Sequence, residues 1–183
     1  RICLFTNTGQ LHTIKVSDLP FGKFRDKGIP VDNVSNFSSG KEEILLAASQ
    51  PRLNLCRMIF FTGQSMLKIV DGSEFDVAKW TVAATKLSEG DEVVSVAIME
   101  EQKNIILQTA EGYFLRFAVE EIPEKKKSAV GVRGMKLGEK DVVENVYYTT
   151  VLTDPVIEYK GKKVEPGKIK AGKRDGKGVK IRV

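Results

Sequence analysis

Few side chains in this 183-residue sequence have the type and spacing for chemistry, and most are quickly eliminated. His12 is the only histidine, with no cysteine or second histidine placed to share a metal, so it reads as an ordinary strand residue. Cys3 and Cys56 lie inside apolar runs and are too few for a disulfide framework or a four-ligand metal site; both read as buried thiols. Gly167 to Arg174 (GKIKAGKR) comes within one residue of a phosphate-binding loop, but Arg174 stands where a hydroxyl must reach magnesium. Gly131-Val132-Arg133-Gly134 has the form of a GxxG clamp, yet that clamp joins two helices and these flanks are strand-like. No nucleophile stands beside a plausible base. Catalysis, a cofactor and a bound metal are therefore not expected.

What remains is electrostatic. The formal net charge is +5, and residues 156–183 hold ten basic against three acidic side chains, leaving the rest of the chain close to neutral. A basic end of this kind is the footprint of a polyanion partner. Further cations recur along the chain: Lys68 and Arg116 inside strand-like runs, then Lys23, Arg25 and Lys27, Lys79, and Lys125, Lys126 and Lys127 with Arg133 in the intervening segments.

The elements that must position them come from a repeat. Thr6 to Pro20 (TNTGQLHTIKVSDLP), Thr62 to Asp76 (TGQSMLKIVDGSEFD) and Thr109 to Pro123 (TAEGYFLRFAVEEIP) align without gaps. Each is a Thr ending an apolar run, a turn, a second strand-like run, and an acid followed by an apolar residue: Asp18-Leu19, Glu74-Phe75, Glu121-Ile122. Gly9 and Gly112 supply the positive φ a tight hairpin needs, whereas Ser65 weakens the turn signal in the middle copy. A second set of segments, around Phe37, Leu87 and Leu137, ends a strand, turns, and re-enters an alternating strand. Four short strands in about 45 to 50 residues is the period of a propeller blade. The expected fold is all-β, with units at 1–49, 50–99, 100–149 and a degenerate 150–183 that keeps strands at Val156 to Tyr159 and Val179 to Val183. Equivalent residues of successive units line one surface, so the cations above, Lys68 and Arg116 included, are expected along one exposed edge as a track for duplex phosphates. Two other readings stand beside it: scattered solubility charges, and a protein-interaction propeller docking through acidic turns at Glu42-Glu43, Glu89 to Glu92 and Glu120-Glu121.

No run of about 18 apolar residues occurs, and Arg1 opens directly into Ile2 to Phe5, so neither a membrane span nor a signal peptide is expected and the location reads as cytoplasmic. The missing initial Met reads as a piece of something longer.

The alternation of TxxG segments with xxKLxxxDxV segments, and above all Ser128 to Val143 (SAVGVRGMKLGEKDVV), resembles the C-terminal domain of the type IIA topoisomerase A subunit, in DNA gyrase or topoisomerase IV. The resemblance implies a β-pinwheel, a propeller-like disc of about four four-stranded blades that exchange strands, small, open or lacking blades, with double-stranded DNA bent around a basic rim. It implies that cleavage belongs to an N-terminal breakage-reunion part of the same polypeptide, whereas ATP hydrolysis belongs to a B subunit, in the bacterial cytoplasm at the nucleoid. Tyr113, Tyr147, Tyr148 and Tyr159 are then packing residues. Gyrase carries a box of the form QRRGGKG; the nearest match is Lys173-Arg174-Asp175-Gly176-Lys177-Gly178, with an acid inserted, which adds Lys173, Arg174 and Lys177 to the expected DNA contacts and tilts the reading toward topoisomerase IV or a divergent paralogue.

Overall fold

In the computed structural model, which describes residues 1–182, the apolar runs are short strands whose two faces are both buried. β1 (Ile2–Thr6) and β2 (Gln10–Ile14) form an antiparallel hairpin, and β3 (Ile44–Ser49) pairs with β1. One helical turn, α1 (Gln50–Leu53), leads into the second hairpin, β4 (Arg57–Thr62) with β5 (Met66–Asp71). The chain then steps back. β6 (Thr81–Ala83) completes the first sheet by pairing with β2, and only afterwards does β7 (Val93–Ile98) pair with β4. The third hairpin, β8 (Asn104–Thr109) with β9 (Tyr113–Ala118), repeats the step: β10 (Val132–Arg133) returns to β5, and β11 (Val143–Thr149) pairs with β8. The fourth hairpin, β12 (Ile157–Tyr159) with β13 (Lys162–Val164), is followed by β14 (Val179–Lys180), which returns to β9.

The result is three four-stranded antiparallel sheets, each finished by a strand from the next unit, and one two-stranded sheet. Three of the about four expected blades have four strands, and the fourth unit, expected to be degenerate, is a hairpin alone among the described residues. Of the expected strand Val179 to Val183, Val179–Lys180 is paired and Val183 lies outside the described residues.

Alternation along the strands explains how the sheets stack. On β4, Met58 and Phe60 point into a core shared with the first sheet, beside Cys3, Phe5, Leu11 and Phe75, while Ile59 and Phe61 point the other way, toward Ile105, Leu107, Leu115 and Phe117 of the third. On β8, Ile106 turns away from that second core to meet Phe114, Ile157 and Tyr159 at the fourth hairpin. The second and third sheets are thus sandwiched between neighbours, and their hairpin strands read as nearly continuous apolar runs. β3 and β11 both lie against β7, which puts these strands toward the centre and leaves β6, β10 and β14 as the outer edges.

The repeated residues have local jobs. Thr62 Oγ1 accepts from the Met66 amide at 3.1 Å and Thr109 Oγ1 from the Tyr113 amide at 3.1 Å, closing the hairpin turns. Ser65 takes φ +65°, beside +75° at Gly9 and +84° at Gly112. Its hydroxyl accepts from the Met135 amide at 2.8 Å, a bond to the incoming crossing that offsets the backbone strain. Cys3 is buried and donates to Gln50 Oε1 at 3.0 Å, with burial pushing its thiol up to about 11; Cys56, expected buried, is half-exposed because its short loop leaves it at the sheet end. All four tyrosines stand on strands, as expected.

The return crossings need glycine where they meet the strand they join. At Gly131 (φ +104°) a Cβ would lie 2.5 Å from the Leu67 carbonyl oxygen, and at Gly178 (φ +74°) 2.6 Å from that of Phe114. Gly28 has the same sign (φ +73°) with nothing within 4 Å. Gly131→Ala is therefore expected to cost about 2 to 4 kcal/mol in denaturant unfolding, and Gly28→Ala only about 1 kcal/mol. Equal costs at the two positions would show that φ alone, and not the crossing contact, sets the requirement.

Candidate nucleic-acid interface

The cations sort into three kinds once the outer edges are known. Those on the crossings are exposed there: Lys79 just before β6, Lys125 and Lys126 ahead of β10, Lys173 and Lys177 ahead of β14. On the edge strands themselves, Arg133 sits opposite Met66 and Lys180 opposite Tyr113, the first residues of β5 and β9, so the two cations hold equivalent places in adjacent sheets. Lys177 and Lys180 both lie over the Tyr113 ring, at 5.7 and 5.1 Å. Lys23, Arg25 and Lys27 are exposed on residues 20–30, which form no strand.

A second kind belongs to the framework, and here two expectations are corrected. Lys68, expected at the exposed edge, is 1% exposed. Its Nζ donates to the carbonyl oxygens of Lys126 (3.1 Å), Lys127 (2.8 Å) and Ala129 (2.6 Å) and lies 5.8 Å from the Phe60 ring. The cause is register: Lys68 pairs with Phe60 in the interior of the sheet, and only its terminal atom reaches the crossing that passes above. Burial lowers its pKa to about 8, opposed by Glu74. Arg116, also expected at the edge, is half-buried; its Nη1 donates to Pro166 O at 3.2 Å and holds the turn after β13.

The third kind is partly engaged. The Lys127 amide donates to Glu74 Oε2 at 2.9 Å and its Nζ to Glu74 O at 2.7 Å. The Arg174 amide donates to Glu121 Oε2 at 2.8 Å and its Nε to Glu121 O at 3.1 Å. These are the same latch, each spanning 53 residues, and they explain the acid that precedes an apolar residue in the repeat: it captures the returning crossing. In the fourth unit Lys168 stands at that place. Arg174 Nη1 also donates to Arg133 O at 2.6 Å.

Three further cations, Lys86, Lys136 and Lys180, were missed by sequence reasoning. Lys86 and Lys136 are exposed, each shortly after its outer strand, β6 or β10. For Lys86 and Lys136 the signal that could have found them is the KL step of the repeat, whose lysine follows β6 and β10 at the same distance. The segments Gly167 to Arg174 and Gly131 to Gly134 are crossing backbone, with no helix following either among the described residues. Among the described residues no three His, Cys, Asp or Glu side chains gather as a metal site, and no helix is long and apolar enough to cross a membrane.

Residues 57–98 and 103–149 match the family model for the DNA gyrase C-terminal domain, beta-propeller. The DNA gyrase A subunit of Helicobacter pylori is 30% identical over 145 residues, covering 78% of this chain and 18% of that protein; that of Rickettsia bellii is 31% identical over 145 residues, covering 76% and 16%. The chain thus spans under a fifth of the curated relatives it matches. Among solved structures, the C-terminal domain of DNA topoisomerase IV superposes with a TM-score of 0.82 at 24% identity, over 98% of this chain and 58% of that one. The E. coli ParC C-terminal domain gives 0.77 at 16%, over 99% and 76%. The solved domains share the fold, and the family model together with the gyrase A relatives gives the family: the chain belongs to the C-terminal domains of the type IIA topoisomerase A subunit.

Proposed function

We propose that this chain binds duplex DNA along its outer edge and bends it, as a non-catalytic part of a bacterial type IIA topoisomerase. One observation carries the reading: exposed cations stand beside each of β6, β10 and β14, and the register puts several of them at equivalent places in neighbouring sheets, Lys86 with Lys136, Lys126 with Lys173 and Arg133 with Lys180, so stacking of the sheets would gather them along one edge. Duplex DNA is a regular line of phosphates, and such a row binds it by counterion release without reading bases. Bending 20 to 30 base pairs by 40 to 90° costs on the order of 1 to 6 kcal/mol, which several phosphate contacts offset. The names of the relatives point the same way. Strand breakage would then fall to an N-terminal part of the same polypeptide, with ATP hydrolysis left to a B subunit, in the cytoplasm at the nucleoid.

Fluorescence anisotropy of a labelled 30-base-pair duplex, titrated with the chain over a range of salt, tests this. About six phosphate contacts predict a slope of log affinity against log salt near −5, with little change between unrelated sequences. A flat salt dependence, or no binding at low salt, would sink the proposal.

A further inference from the structure

Arg133, on the outer strand β10, already holds an anion. Its Nε donates to Asp175 Oδ1 at 2.5 Å and its Nη2 to Asp175 Oδ2 at 3.1 Å, the two-pronged geometry with which a guanidinium also grips the two free oxygens of a phosphodiester. The pair is on the surface, with side chains 55% and 36% exposed, so it is open to competition. The Arg133 bond, helped by the charges of Arg133, Lys136 and Arg174, holds the Asp175 carboxylate below the usual carboxylate range, and Arg174 is tied to the same place by its bond to Arg133 O. Asp175 is not needed to build a crossing. At the equivalent place in the preceding crossing, after Lys126 and Lys127, stands the neutral Ser128, and β10 still forms. The acid therefore subtracts one charge from the outer edge at the junction of the second and third sheets and fills the fork of its most favourably placed arginine.

We propose that the Arg133 fork, flanked by Lys136 and Arg174, is a phosphodiester site closed by the Asp175 carboxylate, which a phosphate of the DNA backbone displaces on binding. The acid sets a threshold: the chain engages duplex DNA here only where neighbouring contacts on Lys125, Lys173 and Lys177 are made as well. This inference rests on the DNA-binding reading above and goes beyond it, because it assigns one residue a role opposed to binding.

The test is Asp175→Asn in the whole chain. Asn adopts the φ of +68° found at this position as readily as Asp, and the bond from the residue-175 amide to Gly134 O at 2.7 Å does not involve the side chain, so the fold is retained and an unchanged melting temperature verifies it. Anisotropy with the same duplex at about 0.1 M salt should show affinity raised about 5- to 10-fold and the salt slope steeper by about 1. Glu120→Gln, which removes an exposed acid that no cation holds among the described residues, is the control for net charge and should change affinity less than about twofold. Adding Arg133→Gln to Asp175→Asn restores the net charge and should bring affinity back to within about twofold of the parent chain. A gain no larger than that of Glu120→Gln, a gain that survives the loss of Arg133, or a loss of affinity in Asp175→Asn each overturns the proposal, the last by showing that the carboxylate holds the guanidinium ready for DNA. Failure of the parent chain to bind at any salt is the distinct result that removes the DNA-binding reading itself.

Discussion

Reversing Lys125, Lys173 and Lys177 to Glu together should lower duplex affinity at least about 100-fold at about 0.1 M salt and reduce the steepness of the salt dependence by about 3. These three are chosen because they are exposed, lie on two successive crossings and, among the described residues, make no ion pair; Lys126 and Lys127 are avoided because both engage Glu74. A matched triple of Lys41, Lys103 and Lys140 to Glu keeps the net charge change and leaves the crossings untouched, and should lose less than about threefold. Anisotropy of both variants decides the matter. Similar losses in the two would mean that DNA responds to total charge, and that the outer edge holds no track.

The largest effect on stability is expected at Lys68. Lys68→Ala removes the ammonium that holds three carbonyl oxygens of the crossing and opens space beside Phe60, at a cost of about 3 to 5 kcal/mol in denaturant unfolding. Lys68→Met keeps the packing and should cost about 2 to 4 kcal/mol, for the carbonyls alone. pH separates burial from hydrogen bonding. The folded-state pKa, lowered to about 8, lies below the usual lysine value near 10.4, so between these limits the unfolded chain holds more protons than the folded one. Folding then carries the burial penalty below pH 8 and sheds it as pH rises toward 10.4. The stability gap between the parent chain and Lys68→Met should therefore widen over that window; a gap that narrows would show that the carbonyl cage outweighs burial.

Lys68 and Arg116 also show why the site was only partly legible. Both are strand cations after the same turn, and pattern alone puts them on the edge. Yet a strand enclosed between two sheets has no solvent face, so a cation there must find carbonyls within its own reach. The exposed lysines of the crossings were legible because their segments are polar and glycine-rich, without the alternation of a buried strand. Ser65 was ambiguous for another reason: its left-handed backbone is supported by a bond to Met135, seventy positions away, which no local rule contains.

By itself the sequence determined the hairpins, their all-β character and their repetition, because Thr caps, positive-φ turns and alternating apolar residues act within a few neighbours. It also carried the acids of Glu74 and Glu121, without revealing what they hold. Only the tertiary structure decided which sheet each crossing completes, that β6, β10 and β14 are the outer edges, and that Lys68 faces inward while Asp175 faces Arg133. Those outcomes depend on pairings between residues some fifty positions apart, where the choice is made by burial of whole faces and by latches such as Glu121 with Arg174. Local propensity is blind to that distance.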